Sequence, residues 1–278
     1  MIKKSSSKSL LLATTTILGQ PPRVVLVFLI LCMTGCSGSY GWIVRTTSTP
    51  FSSTSYQVNL WQEKLAVLTP LTSPGLRGNE AGLGQYLTEI IKKMAPGWDI
   101  MDDRKVASLI NSQGLAAEFI HMRADAEQSH ILDRESLQKI GKSIGVRYLF
   151  QPRLAYFTQD TESRLTVPAI NLRLIQTQVS TMRVTLQLWD TTNGALLWTS
   201  VAEANMQKDT FSQTPVFLED TAKIALAGML TDLLDRKTSS KYTPVNRIIH
   251  KLMDDSNNQA VSESGKKQEK DQDAKQEE

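Results

Sequence analysis

The segment Met182–Asp190 (MRVTLQLWD) sets Val184, Leu186 and Leu188 against Arg183, Thr185, Gln187 and Trp189 in strict alternation. A period of two sends these sets to opposite faces of a strand. Thr191-Thr192-Asn193-Gly194 then reads as a turn, with Asn193-Gly194 supplying residues that tolerate positive φ. Ala195–Asn205 returns as the partner strand, carrying Leu197 and Trp198 near its start. Large residues fall on both faces, which predicts a covered hairpin. The rest of the chain must therefore supply a sheet and the helices that cover it.

Upstream segments fit that requirement. Lys64–Thr69 (KLAVLT) predicts a short buried strand ending at Pro70, followed by a Pro/Gly loop over Thr72–Gly78. Asn79 is placed to cap a helix reaching about Met94, with Leu83, Leu87, Ile90, Ile91 and Met94 on one face and Pro96-Gly97 as its stop. Trp98–Met101 predicts a small strand. Asp102 or Asp103 then caps a helix carrying Val106, Leu109 and Ile110, and Leu115–Ala126 continues as helix. Asp133 caps another helix, with Leu137, Ile140 and Ile144 inward and Gly145 as its end. Val146–Thr158 begins a strand broken or bulged at Pro152, and Phe217–Leu234 predicts a final amphipathic helix. Early alternation and a late hairpin give the fold class: α/β, a mixed β-sheet with helices packed on it, ending in a C-terminal β-hairpin plus a final helix.

The ends have a different composition. Met1–Arg23 is basic and free of acids, and Val24–Met33 (VVLVFLILCM) is a continuous apolar run. That run has the ~7–15 residues of a signal-peptide core and falls short of the ~20 that span a bilayer. Met33-Thr34-Gly35-Cys36 follows and resembles the lipobox of bacterial lipoproteins. The resemblance implies diacylglycerol on the Cys36 sulfur, cleavage before it and acylation of the new N-terminus. Two or three chains anchor durably where one does not. Ser37 stands where an Asp would resemble an inner-membrane retention signal, so the expected location is the outer membrane, facing the periplasm. The expected organisation is a signal peptide over 1–35, a Ser/Thr/Gly-rich flexible tether over 36–55, one α/β domain over 56–253, and a disordered charged tail over 254–278.

Several functions lose their support. Removing the four basic residues of the leader (Lys3, Lys4, Lys8, Arg23) takes the formal charge from +3 to −1, so no basic footprint for nucleic acid remains. Cys32 leaves with the leader, and the single Cys36 builds neither a disulfide nor a metal cluster. His121, His130 and His250 lack a zinc spacing, which leaves no metal site. Gly75, Gly78, Gly82 and Gly84 match neither phosphate-loop pattern and read as a loosened turn with close helix packing. The adjacent pairs Asp102-Asp103 and Asp254-Asp255 do not have the spacing of a general acid–base pair. No catalytic residue and no cofactor is expected.

Ile144-Gly145-Val146-Arg147-Tyr148-Leu149-Phe150 together with Leu186-Gln187-Leu188-Trp189-Asp190, Gly194 and Leu197-Trp198 resembles a superfamily of periplasmic α/β lipoproteins. Its members include the curli-secretion protein CsgG, the TolB N-terminal domain and the penicillin-binding-protein activator LpoB. The resemblance spans about Leu65–Leu234 and implies a non-enzymatic envelope role through protein contacts, in some members by ring assembly. Thr161–Ser180 departs from the family as an insert. Interrupted by Pro168 and bearing Arg164 and Arg173, it is expected to be a surface extension that packs on a partner and not a membrane strand. The expected function is a lipid-anchored adaptor that meets an envelope protein, or itself, through Arg173, Trp189 and Trp198. The alternative is a CsgG-like oligomeric scaffold or secretion-channel component.

Overall fold

The computed structural model describes residues 40–50, 60, 62–167, 172–210 and 216–244; side chains at 40, 163–167, 172–176, 209 and 210 lie outside that description. Eight strands form one open mixed sheet: β1 (Tyr40–Ser48), β2 (Lys64–Val67), β3 (Leu71–Thr72), β4 (Asp99–Met101), β5 (Tyr148–Val167), β6 (Leu172–Asp190), β7 (Ala195–Thr210) and β8 (Ser239–Tyr242). Their spatial order is β4-β2-β5-β6-β7-β1-β8, with β3 pairing β5 beside β2. β2, β3, β4 and β5 run parallel where they pair, and the remaining pairs are antiparallel. The helices are α1 (Leu83–Met94), α2 (Asp103–Ser112), α3 (Ala116–Ser129), α4 (Arg134–Ile144) and α5 (Leu218–Asp235). The α/β expectation holds.

The local signals act largely as expected. Asp102 accepts from Lys105 N at 2.8 Å to cap α2, and Asp133 accepts from Ser136 N at 2.8 Å to cap α4. Gly145 ends α4 with φ +70°. The residue capping α1 is Gly82 (φ +89°), not Asn79, because a short 3-10 turn over Pro74–Leu76 delays the helix. The α5 helix is not amphipathic: Thr221, Ala222 and the whole stretch Ile224–Leu233 are buried, since the sheet flanks one side and α1 the other.

Pro152 does not break β5. It falls between Phe150, the last partner of β2, and Arg153, the first partner of β3, where a missing N–H forfeits no bond. The bulge lies at Ala155 instead, where the register with β6 shifts between Leu154 and Tyr156. In the hairpin turn only Gly194 takes positive φ (+71°); its N–H donates to Asp190 O at 2.9 Å.

The stretch assigned to a flexible tether is corrected over Tyr40–Ser48. These nine residues pair with β7 from Tyr40↔Lys208 to Ser48↔Ser200 and form β1. Trp42, Val44 and Thr46 are buried while Ile43 and Arg45 are exposed, so the strand has a core face despite its Ser/Thr/Gly-rich surroundings. The signal peptide, Cys36 and the tail lie outside the described residues.

Two cores lie on opposite faces of the sheet. One packs α1 and α5 against Leu65, Phe150, Leu186, Trp198 and Val44 across most of its width. The other packs α2, α3 and α4 against Ala66, Leu149 and Trp189. Those three helices are all inserted between β4 and β5, so they cover only the parallel end. Among the described residues no helix covers the outer face of the antiparallel end.

Candidate functional site

That uncovered face is built by register. Tyr156 pairs with Arg183, Arg183 with Glu203, Glu203 with Arg45 and Arg45 with Lys241, making one row across five strands. Arg183 grips Glu203 with Nε at 3.0 Å from Oε1 and a second bond from Nη2. Exposed pairs of this kind contribute at most ~1 kcal/mol, so the row adds little to the stability of the fold. Tyr156 is 47% exposed and Ile43 is 40% exposed, two apolar points in a polar field. In the next row Asn205 donates from Nδ2 to Thr181 Oγ1 at 3.0 Å. Aromatic and Arg side chains on a rigid, half-polar face are the composition of a protein-docking surface.

At the opposite end of β5 an open cleft of about 690 Å³ lies between the start of β5, α4 and the hairpin turn. Arg147 dominates it: Nη1 is 2.7 Å from Glu63 Oε1 and Nε is 3.8 Å from Asp190 Oδ2. The Glu63 bond in particular holds the guanidinium above its ordinary value. Asp190 also accepts from Thr192 N at 2.8 Å, and Thr191 Oγ1 donates to Val146 O at 2.9 Å. The Glu63, Arg147 and Asp190 charges offset one another in place, and with the Thr191 bonds they fasten the hairpin turn to β5.

Among the expected contact residues, Trp198 is 2% exposed in the α1/α5 core and Trp189 is 3% exposed in the α2–α4 core. They lie on opposite sides of the sheet, and neither can touch a partner. Alternation puts Trp189 on the face opposite Leu188 and Trp198 beside Leu188; both rings are buried because helices cover each of those faces at this end of the sheet. Arg173 pairs with Thr166 along the β5–β6 hairpin; its side chain lies outside the described residues. Gly84 is close packing, as expected: a Cβ there would come within 2.5 Å of the Asp103 carboxylate. No group of three His, Cys, Asp or Glu side chains poised for a metal occurs among the described residues. The open row was missed, although Ile43, Arg45 and Thr47 alternate with Trp42, Val44 and Thr46; that signal was hidden by a tether-like composition.

Fold and surface together define an α/β domain with an open mixed sheet; among the described residues helices cover one face and half of the other. Solved structures similar to it include the PelC dodecamer of Paraburkholderia phytofirmans, at 17% identity over 70% of this chain and 96% of that one, TM-score 0.30. Lipoprotein GNA1162 of Neisseria meningitidis is similar at 12% identity over 63% of this chain and 96% of that one, TM-score 0.38. The LpoB C-terminal domain of Escherichia coli is similar at 14% identity over 51% and 81%, TM-score 0.28. No protein family and no curated protein sequence matches the chain.

Proposed function

We propose that the chain is a lipoprotein of the bacterial envelope, acylated at Cys36, held on the periplasmic side of the outer membrane, and acting as a non-enzymatic adaptor. The observation that carries the adaptor role is the uncovered outer face of β5, β6, β7, β1 and β8. Its row Tyr156–Arg183–Glu203–Arg45–Lys241 is rigid, partly apolar and free of any covering helix among the described residues. Anchoring confines this face to the membrane and raises its effective concentration near membrane-bound partners.

Two measurements test the reading. The mass of the mature N-terminal peptide should carry diacylglycerol and an acyl chain on Cys36. Crosslinking from position 156 in intact cells should yield a defined adduct that Arg45→Glu with Lys241→Glu abolishes while Tm is retained. A bare Cys36, or an unchanged adduct, sinks the proposal.

A second reading, self-assembly into a scaffold, is favoured by the outer edge of β5. From Tyr156 to Val167 that edge pairs with no strand among the described residues, and such edges template association. A uniform large ring of detergent-extracted protein would select it over a monomer.

A further inference from the structure

The register of the sheet places Tyr40, four residues after Cys36 in the sequence, at the same end as the long hairpin. β1 enters at Tyr40, which pairs with Lys208; Lys208 pairs with Gln178, and Gln178 with Thr161. Beyond this row the six residues Glu162–Val167 continue β5 and pair back onto β6 through Val167↔Leu172. At ~3.3 Å per residue they extend ~20 Å past Tyr40. Three residues, 37–39, separate Cys36 from Tyr40. Four peptide steps reach at most ~14 Å, however those residues run. An anchored Cys36 therefore brings the lipid surface nearer to Tyr40 than the hairpin is long.

From this we infer that the paired ends Glu162–Val167 and Leu172–Thr177 dip into the lipid headgroup and upper acyl region beside the anchor. The inference rests on acylation of Cys36. Its chemistry is that of a lipid surface. These strand ends contain Leu165, Val167, Leu172, Leu174 and Ile175 with Arg164 and Arg173, and no Asp or Glu stands between Ser163 and Gln176. Apolar residues partition into the interface, and arginines meet the phosphates while their stems stay in the apolar layer. Among the described residues β7 accompanies β6 as far as Gln176↔Thr210, and beyond that row β6 pairs with β5 alone. A two-stranded ribbon is marginal in water, and contact with lipid would supply the burial it lacks. Its length beyond the anchor fits a penetration of ~5–10 Å, not a crossing. The domain thus lies against its own membrane.

The mature chain has no cysteine beyond Cys36, so a single introduced thiol carries a nitroxide without further change. The full-length protein would be lipidated in cells, its N-terminal mass checked, and the chain reconstituted into phosphatidylethanolamine/phosphatidylglycerol vesicles. Leu172→Cys and Thr192→Cys are compared by the accessibility of the label to oxygen and to a water-soluble nickel complex. The expected result is a severalfold higher oxygen-to-nickel ratio at 172 than at 192, which sits in the exposed turn at the far end of β6. Equal, water-like ratios on a lipidated chain overturn the placement and leave the anchor intact. An unmodified Cys36 sulfur overturns the anchor itself.

Discussion

Tyr242, on the last strand, donates its hydroxyl to the Asp232 carboxylate of α5 at 2.6 Å in the core, and Thr46 of β1 donates to the other carboxylate oxygen. Asp232 is fully buried and Tyr242 is 3% exposed. One carboxylate thus ties the final helix to the two strands that close the sheet. Gly228 lies beneath them, where a Cβ would come within 3.1 Å of Val44 and 3.2 Å of Tyr242.

Replacing Tyr242 by Phe strips the carboxylate of one donor while preserving shape. The expected loss is ~1–3 kcal/mol of unfolding free energy, the cost of a buried polar group left unpaired. Asp232→Ala should cost more, since it orphans two hydroxyls and leaves a void. Burial, and then the bond to Asp232, raises the Tyr242 phenol above its usual range. The native state therefore holds that proton more tightly than the unfolded chain. This contribution is complete below pH ~10 and is lost as pH rises further. Urea melts between pH 9 and 11 should fall more steeply for the native sequence than for Tyr242→Phe.

Gly141 of α4 lies against the hairpin turn, where an added Cβ would meet Thr191 Cβ at 2.3 Å. Thr191 cannot yield, because its hydroxyl is bonded to Val146 O and Arg147 O. Gly141→Ala should destabilise the domain by ~1–3 kcal/mol through overpacking. Thr191→Gly should recover part of that loss in a double-mutant cycle read by thermal melting.

Trp198→Ala and Trp189→Ala should each cost ~3–5 kcal/mol, because each empties a core on its own side of the sheet. Crosslinking to a partner should fall only in proportion to the folded fraction. A Trp variant that keeps its Tm and selectively loses the partner adduct would return that tryptophan to the docking surface.

Asp220, in the first turn of α5, is held above its usual value by burial first and by neighbouring Glu219 second. Its folded value exceeds the unfolded 3.8, so the native state favours the protonated form and the ionised form costs stability as pH rises through that window. Asp220→Asn is expected to raise Tm at pH 7 and to converge with the native sequence near pH 3. Equal Tm differences at both pH values would contradict the assignment.

The turn, the caps at Asp102 and Asp133, the Gly145 stop and the β6–β7 hairpin were legible because each depends on residues within a few positions of one another. The outer row was not legible. Tyr156, Arg183, Glu203, Arg45 and Lys241 are scattered along the chain and become neighbours only through strand register. Arg153 illustrates the same limit: its guanidinium reaches Ala126 O and Glu127 O at the end of α3, 3.2 and 2.9 Å away, a cap supplied from another element.

From sequence alone came the helices, the short strands before and after the first of them, the β6–β7 hairpin and the α/β class, all of which rest on local spacing and composition. Tertiary structure decided that Tyr40–Ser48 is a strand of the sheet, that both hairpin tryptophans face inward, and which sheet face stays open. Those outcomes depend on long-range pairing and on where three helices happen to be inserted, and no local periodicity encodes either.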